Sequence, residues 1–320
     1  MKKKFQAVFL GIAFAIAASA QSATGPLAQA NAALQAGEAD KALALLNSLP
    51  PSAESHSLKC RVFYSLEDWD LAASECQQAV NADGQSSEDH LWLGRALGER
   101  AERASFLNAY SFAKRVREEF EEATNLSPRN AEALADLGEF YYRAPGIVGG
   151  GNDKAEVVAT RLDKIAPARA FELRAGIAKQ IKDYDAAERN FKQAIAVSEH
   201  PAFQWMSLAS FYRQRERWPE MDAAVESGLN AAEHDKHAGV ALFNGSSVLT
   251  EAGKNLELAA RMLQEYLAGS SKTEEAPAFV AHTRLARLDA RLGDIAAAKR
   301  ERTAALELAH DYRPAQELKF

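Results

Sequence analysis

Apolar residues recur along nearly the whole chain at spacings of three and four, the period of a helix that buries one face. Runs alternating with period two are missing, and Ala, Leu, Glu, Lys and Arg dominate, so the sequence predicts an all-α fold. The pattern itself recurs at intervals of about 34 residues. In IKDYDAAERNFKQAIAVSEHP, from Ile181 to Pro201, a short polar turn and an aromatic precede Ala187, Phe191 and Ala194 on one face. The same frame returns as Trp69, Ala72, Cys76 and Ala79, as Ala42, Leu46 and Leu49, and as Ile295, Ala298 and Ala305. Ahead of each such helix stands another with a large-small pair: Leu93-Gly94 before Leu97, Leu137-Gly138 before Tyr141, Leu208-Ala209 before Tyr212.

This unit resembles the tetratricopeptide repeat (TPR) family, whose first helix (A) carries a Leu-Gly pair and a Tyr, and whose second (B) carries Ala, Phe, Ala and Pro. About eight degenerate units fit between Leu27 and Pro314 at the repeat period. Met221 and Gly228 replace the alanines of the sixth, Val116 replaces one in the third, and the seventh, around Ala259 and Leu263, is the least faithful. The resemblance implies a right-handed superhelical solenoid of antiparallel helix pairs, with small residues where A and B cross and a concave groove lined mainly by A helices. It also implies a binding scaffold with no catalysis of its own.

Two units exceed the period, near residues 98–115 and 144–154. The first keeps Phe106, Tyr110, Ala113 and Val116 at helical spacing, which predicts lengthened helices rather than a loose loop. The second is APGIVGGGNDKA, with Pro145, Gly146, Gly149, Gly150 and Gly151 ahead of Lys154. A phosphate-binding loop requires a strand, GxxxxGK[ST] and a helix. Here a helix leads in, two residues separate Gly151 from Lys154, and Ala155 stands where the hydroxyl belongs. The stretch is therefore read as a lengthened A-to-B turn: Pro145 ends helix A, the glycines supply unusual backbone angles, and Asn152 or Asp153 caps helix B. Both insertions should emerge side by side on one edge, as a binding lobe or as a local packing solution.

Met1-Lys2-Lys3-Lys4, the apolar run Phe5–Ala17 and Ala18-Ser19-Ala20 have the form of a signal peptide cleaved after Ala20, leaving residues 21–320 as one domain, periplasmic or secreted. A net charge of −6 disfavours a nucleic-acid binder. Cys60 and Cys76 fall on helices A and B of the second unit, where they form either a disulfide or two buried small side chains. His234 and His237 are three apart but lack further ligands nearby, so neither a metal nor a cofactor is expected, and no motif nominates a catalytic residue.

Binding is what the repeat frame favours. The A-helix positions expected to face the groove are Arg61, Tyr64, Arg95, Glu99, Glu139, Tyr142, Arg143, Arg169, Lys179, Phe203, Met206, Arg213, Gln214, Arg287 and Arg291. This basic and aromatic mixture suits an acidic peptide with an apolar anchor, presented by a protein of the cell envelope. An ordinary solvated helix face is the other reading. A different class of function is a small-molecule or lipid-binding accessory of an envelope transport system. Some TPR relatives clamp a C-terminal carboxylate with Asn at set groove positions. The corresponding positions hold Arg61, Arg95, Glu139, Gly176, Ser210 and Arg287, so that activity is not carried over.

Overall fold

The computed structural model describes residues 25–233, 235–270 and 272–320; the N-terminal leader and its cleavage site lie outside the described residues. Among the described residues there are seventeen α-helices and no strand. Sixteen of them form eight antiparallel pairs. Units 1 to 4 are α1 (Pro26–Ala36) with α2 (Ala39–Asn47), α3 (Ala53–Ser65) with α4 (Trp69–Ala82), α5 (Ser87–Arg103) with α6 (Phe106–Leu126), and α7 (Ala131–Arg143) with α8 (Asn152–Leu162). Units 5 to 8 are α9 (Pro167–Gln180) with α10 (Tyr184–Val197), α11 (Ala202–Gln214) with α12 (Trp218–Ala232), α13 (Gly239–Ala252) with α14 (Leu256–Ala268), and α15 (Ala278–Leu292) with α16 (Ile295–Leu308). A single turn, α17 (Arg313–Gln316), follows.

The B helices bury most of the positions that the pattern marks, namely Ala42 and Leu46, Ala72, Cys76 and Ala79, Ala187, Phe191 and Ala194, Ala298 and Ala305, whereas Leu49 and Trp69 are half-buried and Ile295 is exposed. The least faithful seventh unit obeys the same rule through Ala259, Leu263 and Tyr266. In units 1, 2, 5, 6, 7 and 8 the A-to-B turn contains a left-handed residue, namely Gly37, Glu67, Lys182, Glu216, Gly253 or Gly293. Asp68, Asp183 and Asp294 then cap the B helices by accepting the backbone N–H three residues on. His56–Glu75, His90–Glu119 and His282–Glu301, each 2.6 Å apart, tie A to B in units 2, 3 and 8. Cys60 on α3 and Cys76 on α4 are joined by a disulfide, with Cα atoms 5.0 Å apart.

The small residues serve more than one crossing. A Cβ on Gly94 would lie 2.4 Å from Phe120 on the partner B helix, whereas one on Gly138 would meet Leu173 of the next unit's A helix. Small residues thus let units approach each other as well as the two helices within a unit.

Units 3 and 4 depart from this turn: unit 3 joins its helices through Ala104 and Ser105 with no left-handed residue, and unit 4 through a longer stretch. In unit 3 both helices are long, α6 reaching 21 residues. In unit 4 a 3-10 turn, Gly146–Val148, packs on α6, and the Arg117 guanidinium donates to the Val148 carbonyl at 3.3 Å. Glycine is required at only two places here. Gly149 has φ +98°, and a Cβ on Gly150 would stand 1.8 Å from the Ala144 carbonyl oxygen. Gly146 faces open space, and Gly151 has φ 165°, extended backbone open to any residue. The Lys154 ammonium donates to the Gly149 carbonyl at 2.8 Å and lies over Tyr141, so it staples the turn. The expected cap from Asn152 or Asp153 is corrected: Gly151 occupies the N-cap position, and no side chain caps α8.

The first and last units meet, a contact that the repeat frame does not anticipate. One core cluster joins Leu34, Leu46, Leu58 and Val62 to Phe279, Ala305 and Tyr312, and α2 packs against α16. The His310 N–H donates to Asp40 at 2.9 Å, and the Tyr312 hydroxyl donates to Glu67 at 3.0 Å. The eight units therefore close into a ring with the A helices inside. At the seam Gly37 has φ +73°, and a Cβ there would fall 2.3 Å from the Ala278 nitrogen. Gly37→Val should cost about 3 kcal/mol in urea unfolding, from left-handed strain plus overpacking, and should enlarge the radius of gyration in small-angle scattering.

Unit 8 also buries a carboxylate. Burial, with Glu301 and Asp294 nearby, pushes the Asp289 acid up to about 6. A raised carboxyl binds its proton more tightly in the folded chain, so it lowers stability as pH rises from its ordinary value to about 6. Asp289→Asn should therefore raise the melting temperature at neutral pH and leave it unchanged near about pH 4.

Candidate functional site

The inner face is built from one side of each A helix and has two differently furnished halves. In the first, Arg61 and Tyr64 of α3 meet Trp92 and Arg95 of α5. Tyr64 stands edge-on between Trp69 and Trp92, at 5.1 and 5.3 Å, and both guanidinium groups lie over the Trp92 ring. Arg95 is paired with Asp136 at 2.6 Å and Glu132 at 3.2 Å. Burial raises the Asp136 acid above the usual carboxylate range, although the Arg95 guanidinium opposes that shift.

The connection between units 7 and 8, Gly269–Pro277, enters this half. It is nine residues long, where the other links between units hold four to six. Its Glu274 accepts from Arg61 Nε at 2.7 Å and Nη2 at 2.5 Å, a bidentate pair that leaves the Arg61 side chain 12 % exposed. Gln35 of α1 donates to the same carboxylate at 3.1 Å and accepts the Glu274 N–H at 3.3 Å. Glu275 lines a recess with Trp92, Arg95 and Glu132, and partial burial together with the Glu132 charge pushes its acid upward. The buried Tyr266 hydroxyl donates to the Ala276 carbonyl and anchors the base of the loop.

The second half is open. Tyr142, Glu172, Gly176, Lys179, Ser207, Ser210, Asn244, Ser247 and Glu251, from α7, α9, α11 and α13, surround a cavity of about 370 Å3. Burial, reinforced by the Arg213 charge, lowers the Lys179 ammonium, and among the described residues it forms no ion pair. Burial raises the Glu172 acid, which accepts from Ser207 at 3.3 Å. A cation, an acid and several hydroxyls thus face a common space.

The expected groove residues divide among several places. Arg61, Tyr64 and Arg95 come together, and Tyr142 and Lys179 share the cavity. Arg169 is exposed between Glu172 and Glu275, and acts on both through its charge. Arg213 is paired with Glu251 at 2.8 Å. Glu139 and Arg143 pair with each other at 3.0 Å at the far end of α7, where Arg143 also reaches Glu102. Glu99 pairs with Arg103, and Gln214 and Phe203 are exposed.

Three positions differ from the expectation. Met206 is 1 % exposed and packs into the space left by Gly228 and Gly245, so it forms the floor beneath the cavity and presents no binding surface. Arg287 donates to the Pro314 carbonyl at 3.3 Å, and Arg291 to the Thr250 carbonyl at 3.3 Å, so both hold neighbouring backbone. His237 lies in the turn before α13 against the ring of His200; His234 lies outside the described residues. Among the described residues no cluster of His, Cys, Asp or Glu has the arrangement of a metal site.

Eight helix pairs with the repeat positions buried, stacked side by side, decide the architecture. The chain is a TPR-like α-solenoid. No family model matches it, and no curated protein does. Among solved structures, this TPR-like chain is similar to a thermophilic TPR protein of Thermus thermophilus, with 17 % identity over 64 % of this chain and 97 % of that one and a TM-score of 0.44. It is also similar to the APC/C hetero-tetramer Cut9-Hcn1, with 12 % identity over 91 % of this chain and 54 % of that one and a TM-score of 0.40.

Sequence reasoning missed Trp92 and the Glu274-Glu275 pair. The signal for the pair was present: an acidic dipeptide in a link longer than the TPR period allows. Glu274→Ala would leave the largely buried Arg61 with Glu88, 3.1 Å away at the surface, as its one ion-pair partner among the described residues. It should cost about 1–2 kcal/mol in urea unfolding and speed proteolytic cleavage within 269–277.

Proposed function

We propose that this chain is an exported, non-catalytic scaffold that acts in the periplasm or outside the cell and binds an envelope protein through an acidic, extended segment laid along the inner face. The observation that carries the reading is the grip of Arg61, with Arg95 and Trp92 beside it, on the chain's own acidic link. Planar guanidinium groups stacked on an indole are suited to carboxylates, and an extended segment offers them without a folded surface of its own. Lys179, which forms no ion pair among the described residues and lines one cavity with Ser210 and Asn244, continues this chemistry into the open half. In the open half, the lining by Glu172, Lys179, Ser207, Ser210, Asn244 and Glu251 disfavours carriage of a lipid.

A partner segment competes with the chain's own link for Arg61 and meets no competitor at Lys179. A labelled peptide copying residues 272–277 is a suitable probe. Neutralising the link with Glu274→Gln and Glu275→Gln should tighten its binding about tenfold in fluorescence anisotropy, and Lys179→Glu should weaken it by a similar factor. Affinity unchanged in both variants, or no binding to either, would overturn the reading.

A further inference from the structure

The lengthened third unit leaves its tip bare. Where α5 turns into α6, Phe106 is 84 % exposed and Leu107 79 % exposed, with Tyr110 one turn along the same helix. On the same edge, the 3-10 turn of unit 4 presents Ile147, 74 % exposed. Large apolar side chains this open are uncommon on a soluble surface, and none of the described residues covers them.

The charge around them is one-sided. Between Glu102 and Glu118 there is no acidic residue, while the interval holds Arg103, Lys114, Arg115 and Arg117, in a chain of net charge −6. Three of those cations have partners: Arg103 pairs with Glu99, Arg115 with Gln77 and Glu119, and Arg117 with Glu118, Glu121 and the Val148 carbonyl. Lys114 lies over the Tyr110 ring and, among the described residues, forms no ion pair.

We propose that this tip docks on an anionic lipid surface, Phe106 and Leu107 entering the headgroup boundary while Lys114 meets the lipid charge. Apolar insertion and electrostatic attraction are each weak alone and act together in interfacial binding. The four apolar side chains offer roughly a few hundred Å2, well short of the ~1,000 Å2 that a stable protein interface buries. A second copy would bring like charges together at the same tip. The lipid surface therefore fits better than either protein occupant. The inference does not depend on the inner face.

Phe106→Trp supplies a local reporter on the full chain, its emission taken as the difference from the parent with its 4 tryptophans. Vesicles containing phosphatidylglycerol should shift that emission to the blue, and brominated acyl chains should quench it. Pure phosphatidylcholine vesicles should do neither, and high salt should reverse the effect. The Phe106→Ser/Leu107→Ser pair should lower co-sedimentation with anionic vesicles about tenfold while retaining the parent's melting temperature, and Lys114→Glu should weaken it in the same direction. An unshifted tip with anionic vesicles, including attachment through another part of the chain, overturns the proposal. So does an equal response to neutral vesicles, or a shift that follows protein concentration without lipid and marks self-association.

Discussion

The molecule depends on how closely neighbouring helices can approach. Ala72, Ala79, Ala187 and Ala194 on the B helices, and Gly94 and Gly138 on the A helices, leave room for the large side chains opposite. Phe120 seated on Gly94 sets the two helices of a unit against each other, and Leu173 on Gly138 sets one unit against the next, so that each unit is rotated a little from the last. Seven such steps from the first unit bring α15 and α16 round to α1 and α2, and the repeat's curvature becomes closure. Closure then determines the rest. It creates a core shared by the ends, removes the two exposed faces that an open stack would have to cap, and confines the A helices to an enclosed surface.

Local features of this architecture were legible in the sequence because they depend on residues within one unit. The spacing of Ala187, Phe191 and Ala194 marks a buried stripe whatever lies opposite, and Asp183 before Tyr184 marks a helix start for the same reason. The ring was not legible, since it rests on pairs such as Gly37 with Ala278 and Asp40 with His310, which no local period encodes. The pattern identified α2 and α16 as helices without indicating that they touch.

The inner face shows the same division. Arg61, Tyr64 and Arg95 share a register on their A helices, so the period alone directs them inward. Met206, one turn before the equivalent Ser210, fills the space above Gly228 and Gly245, supplied by two other helices, and its long, pliable side chain folds down into it. Arg287 is claimed by backbone of the C-terminal segment, a contact created by closure. Loops have no period at all, so the role of Glu274 could be read only from its length of link and its charge.

Glu274 connects the closure of the ring to the chemistry of its interior. The carboxylate is held by Gln35 of the first unit and Arg61 of the second, yet it arrives from the link into the eighth. It therefore reinforces the seam and fills the inner face at once, so these two roles share one free energy. A ligand that displaces Glu274 from Arg61 removes a polar contact across the seam and leaves its apolar part, Phe279 against Leu34 and Leu58, intact. Because the apolar contacts are non-directional and the guanidinium pair is geometric, exchange of one carboxylate for another can occur without the ring opening. The cost of exchange falls on the nine-residue link alone, and the rigid helix pairs on either side stay where closure puts them.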